Sequence, residues 1–171
     1  MTTLRTDRLI LRQWRDDDLD AWAAMNADPL VREFLGGPLT REHSAASMAR
    51  FAADIDTRGW GWWAVEVASS GTLAGFAGLD PVDPGGPVEG VEIGWRLARE
   101  MWGSGYATEA ARACLSYGFD TLRLPEIVAI AAAGNHRSRA VMTRLGMTHD
   151  PSLDFADGAF PSVVYRLAAG L

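Results

Sequence analysis

The chain has 171 residues, 48% of them hydrophobic and 22% charged, the size and balance of one globular domain with a substantial core. All 16 basic residues are arginine, which excludes a Walker-A phosphate loop and any Schiff-base lysine. The net charge of −6 argues against a nucleic-acid backbone as partner, and no apolar run approaches the ~18 residues of a membrane span, so a cytoplasmic protein is expected.

LILRQW (9–14) reads as a first strand, which the following aspartates stop. Asp17 or Asp18 caps a helix carrying Leu19, Trp22, Ala23 and Asn26 until Pro29 breaks it, and 30–35 reads as one more helical turn. Thr40 caps a longer helix whose buried stripe is Ala45, Met48, Ala52 and Ile55. The period then changes to two: 61–67 and 72–79, joined at Ser69-Ser70-Gly71, form an antiparallel hairpin, and the Pro- and Gly-rich stretch 80–90 is a loop. In 91–97, Val91, Ile93, Trp95 and Leu97 face one way and Glu92, Gly94 and Arg96 the other, giving a third adjacent strand.

Beyond Gly103-Ser104-Gly105, residues 106–122 place Ala107, Ala111, Cys114, Leu115, Gly118, Phe119 and Leu122 on one helical stripe. Residues 126–132 form a buried strand, 135–145 a helix capped by Asn135 and ended by Gly146, and 162–168 a closing strand. The order predicts a single α+β domain over residues 1–171, with helices packed on a mixed sheet. Its lone cysteine, Cys114, allows no intrachain disulfide and no CxxC site, and His43, His136 and His149 are not spaced as HExxH. A reducing compartment and a metal-free mechanism follow as expectations.

Gly103-Ser104-Gly105 sits after a strand and before a helix, where unpaired N–H groups and the positive end of the helix dipole favour an anion. Glycine lets a pyrophosphate approach those amides, and Thr108 adds a hydroxyl at the first turn. A dinucleotide fingerprint fits poorly, because Thr108 stands where it needs Gly or Ala. The stretch 99–150 alone is net positive, and Arg137, Arg139 and Arg144 fall within ten residues that hold no acid.

Together LRTDRLILRQWRDDDL, VEIGWRL, MWGSGYATEA and NHRSRAVMTRLGM resemble the GNAT superfamily of N-acetyltransferases, in its RimJ/RimL-like branch. The resemblance implies a mixed, mostly antiparallel central sheet with helices on both faces and two splayed central strands, 91–97 and 126–132. It implies acetyl-CoA as donor, with its pyrophosphate on the loop Trp102, Gly103, Ser104, Gly105, Tyr106, Ala107 and Thr108. It further implies pantetheine pairing along Ile93, Trp95 and Leu97, and a cofactor-side asparagine at Asn135. Arginine forks hold phosphates, and Arg139 is preferred over Arg137 for coenzyme A.

Acyl transfer from a thioester needs a neutral amine, and a lysine-type amine with pKa about 10.4 is neutral in only about one molecule in 2,500 at pH 7. Glu92 is the candidate base, beside Gly94, which lets a ligand approach. Where the family often has a tyrosine as acid this chain has Met142, and Ser138, matched in the branch resembled, replaces it in contact with the sulfur; Tyr106 and Tyr165 are further hydroxyls. A backbone N–H near Ile93 or Gly94, on a bulged strand, is the expected oxyanion donor. Glu33, Trp60 and Trp62 are expected to line an acceptor pocket, and the acidic 80–92 stretch suits a cationic amine. The acceptor is a protein N-terminal α-amine or a small-molecule amine. The alternatives are transfer of a larger acyl group such as succinyl, or a non-catalytic acyl-CoA-binding module. The edge of strand 162–168 suggests a homodimer.

Overall fold

A computed structural model describes residues 2–156 and 160–170. Its strands are β1 (Leu4–Arg5), β2 (Leu9–Arg12), β3 (Trp62–Val67), β4 (Leu73–Pro81), β5 (Val91–Leu97), β6 (Glu126–Ala132), β7 (Thr148–His149) and β8 (Ser162–Ala168), and its helices are α1 (Leu19–Ala27), α2 (Arg41–Arg58), α3 (Tyr106–Ser116) and α4 (His136–Arg144). The strands form one sheet in the order β1-β2-β3-β4-β5-β6-β8-β7. Its pairings are antiparallel except between β5 and β6, which run parallel and meet at one pair, Glu92 with Val128. Beyond that pair the two strands splay apart.

Strand alternation decides what each face carries. Trp62, Phe76, Gly78, Glu92, Gly94 and Arg96 fall on one face by register. There α1 and α2 pack through an aromatic cluster centred on Phe76, with Trp62 at 5.2 Å, Phe51 at 5.6 Å and Trp22 at 5.8 Å between ring centroids. Buried indoles still need acceptors: Trp14 Nε1 donates to Trp62 O at 2.7 Å and Trp22 Nε1 to Ser44 O at 3.0 Å. Trp63 points to the opposite face, where its ring meets Tyr117 edge-on at 5.4 Å, just past α3. Cys114 is buried on α3, and burial pushes its thiol up, as suits a small core residue.

The helices thus cover both faces of a mostly antiparallel sheet, as the resemblance implies, with several local differences from the sequence pattern. Residues 30–35 form turns rather than a helix, tied by Arg32 N to Asp28 O at 3.1 Å and Leu35 N to Arg32 O at 2.9 Å. The buried side of α2 is Ser44, Phe51 and Ile55, rotated from the expected stripe because Phe51 turns toward Phe76. Helix α3 ends at Ser116, and 117–121 continue as a π-helical turn. The closing strand β8 is flanked by β7 at Thr148 and His149, so part of the edge invoked for a dimer is already covered. Among the described residues no helix is long and apolar enough to cross a membrane, and none of the His, Cys, Asp and Glu side chains are grouped to hold a metal.

Candidate active site

The divergence of β5 from β6 opens a groove of about 1020 Å³ that runs from the start of α3 to Glu92 and on beneath the 30–35 turns. Ala98 N donates to Ala74 O at 2.9 Å, so alternation along the antiparallel ladder aims the backbone groups of Glu92, Gly94 and Arg96 at β4 and those of Ile93, Trp95 and Leu97 toward β6. Past the Glu92–Val128 pair, Trp95 and Leu97 have no strand opposite them, and Trp102 Nε1 takes the Leu97 carbonyl at 3.0 Å. The register between β4 and β5 is unbroken; the irregularity lies between β3 and β4, where Ala74 is the extra residue opposite the Val65–Glu66 step. The expected bulge in 91–97 is therefore absent, and the N–H of Gly94 faces β4 rather than the groove.

Glu92 stands at the vertex of the splay, beside Asp80 in register. Its carboxyl is pushed up to about 7, first by burial and then by the charges of Asp80 and Asp83. A group poised there can take a proton near neutral pH. Gly94 lines the groove and also makes room for a neighbouring ring. A Cβ at that position would come within 3.0 Å of the Trp62 ring, so glycine admits the indole that floors the acceptor side of the groove.

At the other end Gly103 and Gly105 hold φ values of +77° and +81°, and Gly105 is the N-cap of α3 with no side-chain cap. No side chain therefore competes for the first amides of the helix. Trp102, Gly103, Gly105, Tyr106, Ala107 and Thr108 line the groove, while Ser104 turns its carbonyl to Arg8 Nη1 at 3.0 Å. Arg8 also holds Glu109, through Nε at 2.7 Å and its own amide at 2.9 Å, and Thr6 Oγ1 donates to Glu109 at 2.6 Å. Burial alone would raise the Glu109 carboxyl, but these donors outweigh it and hold it low. The arginine cluster divides differently from expectation. Arg139 turns away, donating to Tyr165 Oη at 3.3 Å and Ala133 O at 2.9 Å, whereas Arg137 and Arg144 line the groove. Arg137 lies 4.1 Å over the Trp102 ring and pairs with Glu33 at 3.3 Å.

Asn135 caps α4 by accepting from Ser138 N at 3.1 Å, and Asn135, Ser138 and the buried Met142 all face the groove. Tyr106 lies at the donor end beneath Arg8, and Tyr165 is turned to Arg139 and His149. Of the residues expected to hold an acceptor, Trp62 lines the groove, but Trp60 stacks under Arg58 at 4.9 Å and Glu33 is engaged by Arg137. The side chains missed from sequence are Arg8, clamped on the α3 loop, and Arg96, which enters the acceptor side from β5.

An amide cradle at a helix start, an exposed strand edge and a carboxyl at the splay form one continuous site. A family model described as an acetyltransferase (GNAT) domain matches residues 8–148. The chain belongs to the GNAT acetyltransferase family. The crystal structure of an acetyltransferase from Agrobacterium tumefaciens superposes with a TM-score of 0.83 at 32% identity, covering 98% of this chain and 94% of that one. The uncharacterized protein YkkB of Bacillus subtilis is 31% identical over 153 residues, 89% of this chain and 88% of its own. The FsC-acetyl coenzyme A-N(2)-transacetylase of Aspergillus fumigatus is 31% identical over 156 residues, 86% of this chain and 65% of its own. GNAT acetyltransferases use acetyl-CoA, and the groove, with amides and arginines at one end and a free strand edge along its side, suits that donor.

Proposed function

We propose that the chain is an N-acetyltransferase, a single catalytic domain of the RimJ/RimL-like branch acting in the cytoplasm, which moves an acetyl group from acetyl-CoA directly to a primary amine. The observation that carries this reading is the continuity of the groove from the α3 amides to Glu92. Gly103, Gly105 and the first turn of α3 hold the pyrophosphate, with Arg137 and Arg144 as counter-charges and Asn135 alongside. Trp95 and Leu97 offer main-chain groups to the pantetheine amides.

Acetyl-CoA supplies the acyl group as a thioester. Glu92 accepts the proton of the attacking amine, directly or through water, as its nitrogen bonds to the acyl carbon and the carbon–sulfur bond breaks. A main-chain N–H of the 93–95 segment stabilises the charge that develops on the acyl oxygen. Ser138 hydrogen-bonds the departing sulfur, and Met142 leaves no stronger acid at that point. A thiolate whose conjugate acid has pKa about 8.5 departs without one. Cys114 is sealed in the core, which favours direct transfer over a covalent enzyme intermediate.

Calorimetric titration with acetyl-CoA, alongside Gly105→Glu as control, tests the donor site. Binding at micromolar levels that the control abolishes supports the reading, and no binding at millimolar levels overturns it.

A further inference from the structure

The acceptor end of the groove is walled by Trp62, Phe76, Phe51 and Val31, and the charges set among them are positive. Arg96 projects from β5 on the same face as Glu92. Its Nη1 donates to Asn26 Oδ1 at 2.9 Å, its Cζ lies 5.5 Å from the Trp22 ring and 5.3 Å from that of Phe76, and its Nε is buried with no partner. Asn26 is itself fully buried and donates to Ser44 Oγ at 3.2 Å, so it fixes the guanidinium without neutralising it. Arg32, 8% exposed, uses its guanidinium on the carbonyls of Leu35 and Gly37, and Arg50 sits at the rim over Phe51. Among the described residues no carboxylate pairs with any of these three arginines. Asp28 and Glu33, the carboxylates of the facing turns, are taken by Arg99 and Arg137.

A guanidinium with a buried, unpartnered Nε and no counter-charge is costly, and an arriving carboxylate removes that cost with charge-assisted hydrogen bonds. Glu92 and Arg96 lie on one face of one strand, four residues or ~13 Å apart at the rise of a β-strand. Gly94 stands between them, and over it lies the Trp62 indole. We infer that the acceptor is a small amine that itself carries a carboxylate, its amine at the Glu92 end, its body across Trp62, and its carboxylate on Arg96, with Arg50 at the rim. This specifies the substrate class of the transfer proposed above and rests on that reading.

The test compares acceptors that differ only in the carboxylate: ω-amino acids whose aliphatic or aromatic bodies hold the amine and carboxylate apart, the corresponding amides, and short peptides with the same first residue. Acetyl transfer is measured for each with the full chain. The expected result is a preference for free acids of ~10- to 100-fold in kcat/KM, the range of a hydrogen-bonded ion pair. In Arg96→Met that ratio falls to about one, mainly through a higher KM for the acids. The wild-type ratio needs no variant to fold. Amides or peptides acetylated as fast as the acids overturn the inference while leaving the transferase reading intact, and a preference that survives in Arg96→Met overturns the role given to Arg96. Failure to bind acetyl-CoA, with no transfer to any acceptor, removes the transferase reading and this inference with it.

Discussion

Arg12 on β2 and Arg96 on β5 extend from the same face of the sheet, yet the chain treats them oppositely. Arg12 is met on every side: Nε donates to Glu66 at 2.7 Å, and Nη1 and Nη2 donate to the two oxygens of Asp18 at 2.7 and 2.8 Å. Burial alone would lower its affinity for the proton, but those hydrogen bonds and negative charges outweigh burial and raise it. Arg96 has neutral Asn26 and two aromatic faces, and burial, with Arg32 adding repulsion, pushes it down to about 10. One arginine completes a joint between β2, β3 and the turn before α1. The other is oriented and left electrically open, inside the groove where chemistry is expected.

Five measurements probe this contrast, beginning with the closed joint. Arg12→Met strands Asp18 as a buried charge and leaves Glu66 with the exposed Arg15 alone, and should lower stability by about 3 kcal/mol, read from the shift in denaturant midpoint at constant m. Glu92→Gln should lower kcat/KM by at least ~100-fold and remove an ascending pH limb centred near 7. The same substitution has a stability signature. With its pKa raised to about 7 when folded, Glu92 binds its proton more tightly in the native state than in the unfolded one, so its ionisation makes the wild type less stable as pH rises from about 4.5 to about 7. Gln at this position should flatten that fall in a denaturation series across pH.

A smaller effect separates the clustered arginines. Arg137→Ala should raise the KM for acetyl-CoA a few-fold, the scale of ~1 kcal/mol for a solvent-exposed charge contact, while Arg139→Ala should leave it near the wild-type value. The least change is expected in the stability of Arg96→Met: removing an uncompensated buried charge offsets the lost bond to Asn26, leaving the denaturant midpoint within about 1 kcal/mol of wild type. A loss as large as that of Arg12→Met would mean that Arg96 is a structural joint after all.

The sequence exposes those parts of the molecule that depend on local period and turn chemistry. Trp62 and Trp63, adjacent in the chain, fall on opposite faces because a strand must alternate, and Gly105 ends in the left-handed conformation that a glycine before a helix suggests. The two-residue strands β1 and β7 leave no periodic trace. Arg139 was preferred because a cluster of like residues gives no orientation. Once Asn135 is fixed as the cap, Arg137 and Arg144 stand seven residues apart on one helical face and Arg139 on another. Gly94 lines the groove as expected, but its lack of a side chain also serves a tryptophan two strands away, which no local pattern reveals. Arg96 showed only as the polar side of an alternating strand; its meaning depends on Asn26, Trp22 and Phe76, which approach it from distant segments.

The clamp of Thr6 and Arg8 on Glu109 spans about a hundred positions of the chain. During synthesis the first strands must therefore wait for α3 to emerge before the donor loop has its brace, and native contacts of such long range slow the approach to the folded state. Shape at the donor site becomes a late product of assembly, shared between the earliest and the middle portions of the polypeptide. A tag or trim that disturbs residues 6–8 should accordingly register as weaker coenzyme binding, far along the chain from the alteration itself.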